Sequence, residues 1–207
     1  MTMMLEIPEE LNGMVPALRA VVSTVKMQVE RGRTGGQVDY AAFQRELAVR
    51  LGGVERGADE AALAALDVDV PQVLINKVLH LRVVRSSTSF NGLAGPARVT
   101  RSLYRPAGRR NARVVDPVAL RAGAVLGEWL PATAREMAFE VQRGTSREAE
   151  VTGKRRGRLP YSHASFEQVA HEVGEKYVGQ HEAVEHAYAL HEPRSVVTRA
   201  REAFSRS

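Results

Sequence analysis

The chain has 207 residues, of which 44% are hydrophobic and 26% are charged, a balance typical of a soluble, folded protein. It contains no cysteine, which excludes disulfides, cysteine zinc sites, iron–sulfur clusters and a thiol nucleophile. No apolar run approaches the ~18 residues of a membrane span, and the first residues lack the pattern of a secretory signal. We therefore expect a cytoplasmic protein with no membrane partner.

The net charge of +5 is unevenly distributed along the chain. Residues 1–69 carry 7 Lys and Arg against 11 Asp and Glu, and residues 122–207 carry 12 of each. Residues 70–121 carry 10 Lys and Arg and a single acid, Asp116. Such a basic block attracts polyanions, of which nucleic acid is the usual one. A solvated, arginine-rich surface explains the charge equally well, so the charge alone does not distinguish nucleic-acid binding from an ordinary basic surface.

The N-terminal region, residues 1–69, is expected to be helical. A first helix starts near Pro16 and ends at Gly32, and a second runs from Tyr40 to Leu51 with Asp39 as its cap. Gly52 and Gly53 are expected to end the second helix, and a third covers residues 58–66. The first helix has a 3.6-residue apolar period at Met14, Leu18, Val21, Val22, Val25 and Val29. These helices could form a small domain or dimerise.

Residues 70–113 are expected to form a small antiparallel sheet of two or three strands with a basic edge. Residues 72–84 are rich in β-branched side chains, and turn signals follow at residues 91–92 and 95–96. In the next strand we expect Val99 and Leu103 to point inward. The residues expected to point outward are Arg98, Thr100 and Ser102. Residues 106–113 are expected to form a loop.

The remaining chain, residues 114–192, is expected to be helical again, which makes the fold class mainly α with a small antiparallel sheet, α+β. A helix opens at Pro131 and ends at Gly144. Residues 145–148 have the form of a capping box and start a short helix to about Thr152. A basic break at 153–160 precedes a long last helix capped by Ser162 or Ser165. The core faces are expected to contain Ala134, Met137, Ala138 and Val141, and then Phe166, Val169, Ala170, Val173, Tyr177, Val184 and Tyr188.

A short helix followed by a serine-capped second helix is the outline of a helix-turn-helix, whose second helix enters the DNA major groove. The pattern alone favours an ordinary helical bundle, because such outlines are common by chance. The acidic half of the last helix must point away from phosphates and could lie on a partner helix. In the helix-turn-helix interpretation, the first turns of the second helix carry the cap and the side chains that contact base edges. These residues are Ser162, His163, Ser165, Glu167, Gln168 and His171. The residues expected to hold phosphates are Lys154, Arg155, Arg156 and Arg158, with Arg98, Arg101, Arg109 and Arg110 of the basic sheet and loop.

The sequence assigns no metal site and no active site. Five of the six histidines fall in residues 163–191, but His181, His186 and His191 are five residues apart, which is about 140° per step on an α-helix, so they cannot share a face. No phosphate-binding glycine motif and no nucleophile elbow occurs. We therefore predict no catalytic residue, no metal and no cofactor in this chain.

Segments in order along the chain resemble bacterial insertion-sequence transposases of the Kra-type family: residues 85–105, residues 114–123 followed by 130–150, and residues 158–174. The resemblance covers about residues 65–192. It implies a DNA-binding front half followed by a ribonuclease-H-like, DDE-type catalytic domain with three acids and two magnesium ions. It also makes the helix-turn-helix our first interpretation. Two features depart from the family, because no cysteine follows Arg105 and no Asp follows Asp116.

We accordingly expect a truncated or frameshifted transposase remnant that binds double-stranded DNA at the element ends and is inactive alone. Residues 193–207 are expected to be an aberrant, disordered tail. The alternatives are a helix-turn-helix regulator of transcription, a non-catalytic interaction module that self-associates, and a remnant without function. The transposase fragment and the regulator differ in the DNA that they bind, and a cooperative melt argues against a remnant without function. Salt dependence separates the interaction module from the DNA-binding alternatives, because DNA binding through six or more phosphates weakens by ~10³-fold or more between 50 and 200 mM salt.

Overall fold

A computed structural model describes the backbone of residues 6–189 and side chains up to Lys176. Within them the fold is α+β, as the sequence predicted, with six α-helices and one three-stranded antiparallel sheet. The predicted tail at 193–207 lies outside the described residues, as do the side chains of Tyr177, Val184 and Tyr188. The elements are a 3₁₀ turn Glu9–Met14, α1 Val15–Arg33, α2 Tyr40–Ala64, β1 Gln72–Ile75, β2 Val78–Gly92, β3 Gly95–Pro106, α3 Pro117–Ala122, α4 Pro131–Gln142, α5 Ser146–Arg155 and α6 His163–Ala189.

The first two helices form an antiparallel pair, and the predicted stop at Gly52 and Gly53 is wrong. The chain continues as one helix, α2, through the expected third helix. An added Cβ at Gly53 would lie 3.7 Å from the Cβ of Ala17, and one at Gly57 would lie 3.0 Å from Cγ of Met14. These glycines therefore let the two helices approach closely, which offsets their cost of about 1 kcal/mol each in a helix interior.

The sheet has the order β1-β2-β3, and both pairs are antiparallel. The predicted strand at 72–84 is in fact a hairpin, because Asn76 and Lys77 both have positive φ, 51° and 65°, as a two-residue type I′ turn requires. The second hairpin turns at Leu93 and Ala94, beside the predicted turn signals. Residues 107–113 form a loop, as predicted.

Strand β3 changes its buried face along its length, so the prediction that Ser102 points outward is wrong. Near the second turn Ala97 and Val99 are buried, whereas further along Ser102 and Tyr104 are buried. The change occurs beside a bulge in β2 between Arg82 and Val84, which alters the local twist. Leu103 is only half-buried.

Acceptors in the segment before β1 explain why this part of β3 turns inward. The backbone N–H of Ser102 donates to Oδ1 of Asp67 at 2.8 Å, and its hydroxyl donates to Oδ2 at 3.3 Å. The hydroxyl of Tyr104 donates to the carbonyl oxygens of Val68 and Val70. The segment at 67–70 therefore covers the far half of the sheet and satisfies its buried polar groups.

Two clusters of buried side chains hold the elements together. One joins α2, the sheet and α3, and the other lies between α4, α5, α6 and the loops beside them. Helix α3 was not predicted, although Asp116 accepts from the N–H groups of Val118 and Ala119 and Gly123 ends the helix at φ 67°. The first cluster contains Leu63, Phe90, Ala97, Val99, Val118 and Ala119; the second contains Trp129, Ala134, Met137, Ala149, Leu159, Phe166 and Val169.

The last three helices follow the sequence prediction with one correction. Helix α4 has the expected bounds, and the capping box between Thr145 and Glu148 is present at the start of α5. Helix α5 continues to Arg155, so the basic break is shorter than the predicted 153–160. Lys154 and Arg155 are consequently on a helix and not in a loop.

Candidate nucleic-acid interface

Helices α4, α5 and α6 surround one apolar cluster, which fixes the position of the α6 start. Three residues separate α4 from α5, whereas seven residues, 156–162, separate α5 from α6. The second connection is longer than the three to four residues usual in a helix-turn-helix. It is anchored in its middle by Leu159, which is buried and whose N–H donates to the carbonyl of Leu93 at 2.9 Å. The helix-turn-helix itself stays a prediction.

The first turn of α6 is tied to α5 by one carboxylate. Oε2 of Glu150 accepts from the N–H of His163 at 2.8 Å and lies 3.0 Å from its Nδ1, while Oε1 accepts from Lys154. The bond from Lys154, followed by those from His163, lowers the pKa of Glu150 to about 2. Ser162 is the cap, since its Oγ accepts from the N–H of Ser165 at 3.4 Å.

The predicted base-reading residues lie on the surface of the first three turns of α6. Gln168 and His171 are exposed and lie on the side of the helix opposite Phe166 and Val169, which are buried. Glu167 is exposed between the two sides, and Ser165 is half-buried. Glu167 is the only acid among residues 163–171, whereas residues 172–189 carry four Glu and one Lys in the sequence. The later part of α6 is therefore less suited to a polyanion than its first turns.

Three of the four cations predicted to hold phosphates before α6 are in ion pairs. Arg156 pairs with Glu140, whose side chain is 6% exposed, and Arg158 pairs with Glu55 through two bonds of 2.8 Å. Lys154 pairs with Glu150 at the surface. Arg155 is exposed and pairs with no carboxylate in the described part of the chain. Arg156 and Arg158 thus hold neighbouring elements together.

The four arginines predicted in the sheet and its loop separate into two groups. Arg101 pairs with Asp116 and donates to Oγ of Ser86, and its side chain is only 17% exposed, so it holds α3 against the sheet. Arg98, Arg109 and Arg110 are exposed.

Five cations gather at the end of the sheet that is distant from the second turn. We call this group, Lys77, Arg105, Arg109, Arg110 and Arg113, the hairpin end. The loop is held there because the N–H of Ala107 donates to the carbonyl of Leu79 at 2.9 Å. None of the five pairs with a carboxylate among the described residues. The basic block in the sequence indicated this charge, but not that Lys77, Arg105 and Arg113 belong to the same surface.

An open groove of about 880 Å³ runs between the hairpin end and α3. Arg109, Arg113 and Lys176 line it with positive charge, while Val78 and Leu120 contribute apolar surface. Its acid, Asp116, is already paired with Arg101. The groove therefore carries a positive charge that an anionic ligand could neutralise.

A second polar cluster joins α2 to the second turn of the sheet. Arg56 donates to the carbonyl of Ala94 at 2.8 Å, and the hydroxyl of Tyr161 donates to that of Gly92 at 2.6 Å. Partial burial and the nearby charge of Glu55 raise the pKa of Asp59, and burial also raises the pKa of the Tyr161 hydroxyl. Because each of these groups contacts structural neighbours, the cluster is best explained as a joint between elements.

No family model, curated protein or solved structure matches this chain. In the described residues no group of three or more His, Asp or Glu side chains could hold a metal ion. No helix described by the structure is long and apolar enough to cross a membrane.

Proposed function

We propose that the chain binds double-stranded DNA, with the hairpin end on the phosphate backbone and the first turns of α6 at base edges. The observation that carries this proposal is the hairpin end itself. Its five cations converge from the first turn, the end of β3 and the following loop, with no carboxylate partner among the described residues. Such uncompensated charge attracts a polyanion through counterion release.

The exposed face of α6 supplies the groups for base recognition in this proposal. A glutamine such as Gln168 can donate to and accept from adenine in the major groove, and a carboxylate such as Glu167 can accept from cytosine. Lys154 and Arg155 lie at the end of α5, and Lys154 is joined to His163 through Glu150. Because the Lys154 side chain is 60% exposed and its ammonium has three donors, it can contact a phosphate while it remains bonded to Glu150.

The resemblance to Kra-type transposases supports a more specific role, which is recognition of insertion-sequence ends by the front half of a DDE-type transposase. The magnesium that this resemblance implies belongs to a catalytic domain, and no described residue is assigned to it. A helix-turn-helix regulator would use the same surfaces on other DNA. Selection of bound sequences from a genomic library distinguishes the two, since only the first enriches terminal inverted repeats.

The salt dependence of DNA affinity tests the proposal. For the purified chain and a labelled duplex, we expect fluorescence anisotropy to show binding that weakens steeply between 50 and 200 mM salt. Replacing Arg109 and Arg110 with Gln should reduce the slope of log K against log salt by about 2, since each phosphate that is no longer neutralised lowers it by about 0.9. The matched control replaces Arg31 and Arg45, exposed cations of α1 and α2, and should leave the slope unchanged. Equal slopes for both variants would contradict the proposal.

A further inference from the structure

Helix α1 has two stripes of side chains, and its more apolar stripe does not face α2. The stripe that contacts α2 contains Thr24, which is buried and donates to Glu46 at 3.3 Å, and Ala17, which lies against Gly53. Val21 and Gln28 complete it at helical spacing. The second stripe is turned by about 100°. It contains Leu18, Val22, Val25 and Val29, at steps of four, three and four residues.

Helix α2 has a corresponding stripe that faces away from the sheet. The sheet side of α2 is marked by Gly52 beside Ala94, by Arg56 bonded to the same residue, and by Leu63 in the core. Steps of about 100° per residue place an apolar stripe on the opposite side of the helix. This stripe contains Tyr40, Phe43, Leu47, Leu51 and Val54.

The two stripes lie on one side of the helix pair. Each stripe lies one residue step further around its helix than the line of contact between α1 and α2, which is a rotation of about 100° about the helix axis in the direction of the chain. Viewed along the pair, this rotation is counterclockwise for one helix and clockwise for its antiparallel neighbour. The two stripes therefore point to the same side of the pair. We call the combined surface the outer face. It contains Leu18, Val22, Val25, Val29, Tyr40, Phe43, Leu47, Leu51 and Val54.

The outer face is uncovered in the described structure, and the charged side chains between its two stripes, Arg50 and Glu46, form an ion pair with each other. Val22 is 66% exposed, Tyr40 is 59% exposed and Leu51 is 50% exposed. Apart from α2 and the 3₁₀ turn, no described element packs extensively on α1. A continuous apolar surface of this kind is uncommon on a monomer and marks a protein contact. It has no excess positive charge, unlike the hairpin end, which suits a polyanion.

We propose that the outer face binds the outer face of a second copy of this chain, forming a homodimer with a four-helix bundle at its centre. The steps of three and four residues suit the packing of left-handed bundles. Because Arg50 is neutralised by Glu46, the surface has no net charge that would repel a second copy across a twofold axis. The longer stripe, Tyr40 to Val54, spans about 21 Å, and the helix pair is about 20 Å wide, so two copies bury on the order of 850 Å². This area is slightly below the roughly 1,000 Å² of a stable specific interface, so we expect a weak dimer that depends on concentration.

Sedimentation velocity of the chain without DNA, from 1 to 100 μM, tests this proposal. We expect a concentration-dependent dimer, and we expect Val22→Lys to weaken self-association at least about tenfold, because it would bury an unpaired charge. The control is Val49→Lys. Val49 is 70% exposed but lies about 160° around α2 from the outer face, so this variant should dimerise like the unsubstituted chain. A monomer throughout the range, or equal effects of both variants, would overturn the proposal.

A second measurement locates the interface. Since the chain has no cysteine, Val22→Cys and Val49→Cys each introduce a single thiol, and circular dichroism verifies that both variants fold. Mild oxidation or a short bis-maleimide linker should join two copies through position 22 and not through position 49. The reverse pattern would place the contact elsewhere and contradict the proposal. Neither measurement involves DNA, so its outcome is independent of the proposed function.

Discussion

Arg158 and Glu55, which are 103 residues apart in the sequence, form a bidentate ion pair with both hydrogen bonds at 2.8 Å. The pair fastens the segment before α6 to the middle of α2. It thereby joins the N-terminal helices to the helices that carry the candidate DNA-reading surface. A residue that the sequence assigns to phosphate contact thus has a clear structural partner.

The structural role of Arg158 can be separated from a DNA-binding role by a double-mutant cycle with Arg158→Gln and Glu55→Gln. Both side chains are partly exposed, so we expect a coupling free energy of about 0.5–1 kcal/mol from denaturant unfolding. DNA affinity at constant salt should be the same for Arg158→Gln as for Glu55→Gln. A coupling near zero together with weaker DNA binding by Arg158→Gln alone would restore the phosphate role.

The close contact between α5 and the following loop predicts opposite effects of two glycine substitutions. A Cβ at Gly153 would lie 3.1 Å from the carbonyl oxygens of Arg158 and Leu159. We expect Gly153→Ala to lower the free energy of unfolding by about 1–3 kcal/mol through overpacking, despite the better helix propensity of alanine. At Gly174 in α6 no described atom lies within 4 Å, so Gly174→Ala should stabilise by up to about 1 kcal/mol. Thermal melts of both variants check the pair, and a stabilising Gly153→Ala would contradict the packing.

The lowered pKa of Glu150 predicts a pH dependence at the start of α6. The folded-state pKa is about 2 and the ordinary value is 4.5, so the stabilisation is present above pH 4.5 and is lost as pH falls toward 2. Titration of the Glu150 carboxyl carbon by NMR should give a midpoint below about 3, accompanied by a shift of the His163 amide. In Glu150→Gln that shift of the His163 amide should disappear. A midpoint near 4.5 would show that the bonds to Lys154 and His163 are absent in solution.

The sequence predicted most elements because their local signals agree with the packing. The capping box at Thr145 and the alternation around Val99 needed no knowledge of distant residues. The prediction that α2 ends at Gly52 was wrong because a tertiary contact outweighs the low helix propensity of glycine. That contact is the close approach of α1 at Gly53 and Gly57. The hairpin at Asn76 and Lys77 was missed because Asn-Lys is a weak turn signal next to Asn-Gly.

For the candidate interface too, the sequence predicted local features but not the contacts between residues that are distant in sequence. The basic block and the surface positions of Gln168 and His171 follow from composition and helical spacing. The partners of the arginines do not, because Glu55, Glu140 and Asp116 are distant in sequence from Arg158, Arg156 and Arg101. Charge counting therefore located the positive region correctly, but only the fold shows which of the described cations remain without a carboxylate.

Asp116 caps α3 and also binds Arg101 of β3. We therefore expect its replacement to lower the free energy of unfolding by more than the loss of an ordinary helix cap does. Its Oδ1 accepts from the N–H groups of Val118 and Ala119 at 3.0 and 3.1 Å, while Oδ2 accepts from Arg101, whose side chain is 17% exposed. Asp116→Ala should cost about 2–4 kcal/mol, about 1 from the cap and the rest from a poorly solvated guanidinium left without a partner. Asp116→Asn keeps an oxygen for the cap and should cost less.

The matched control for this prediction is Asp39→Ala. Asp39 caps α2 through a bond of 2.9 Å from the N–H of Ala42, at an exposed position, so its loss should cost only about 1 kcal/mol. Urea unfolding of the three variants measures these differences. If Asp116→Ala costs no more than Asp39→Ala, Arg101 does not depend on Asp116. Arg101 would then be available to phosphates, and the group of cations that bind DNA would extend from the hairpin end along β3.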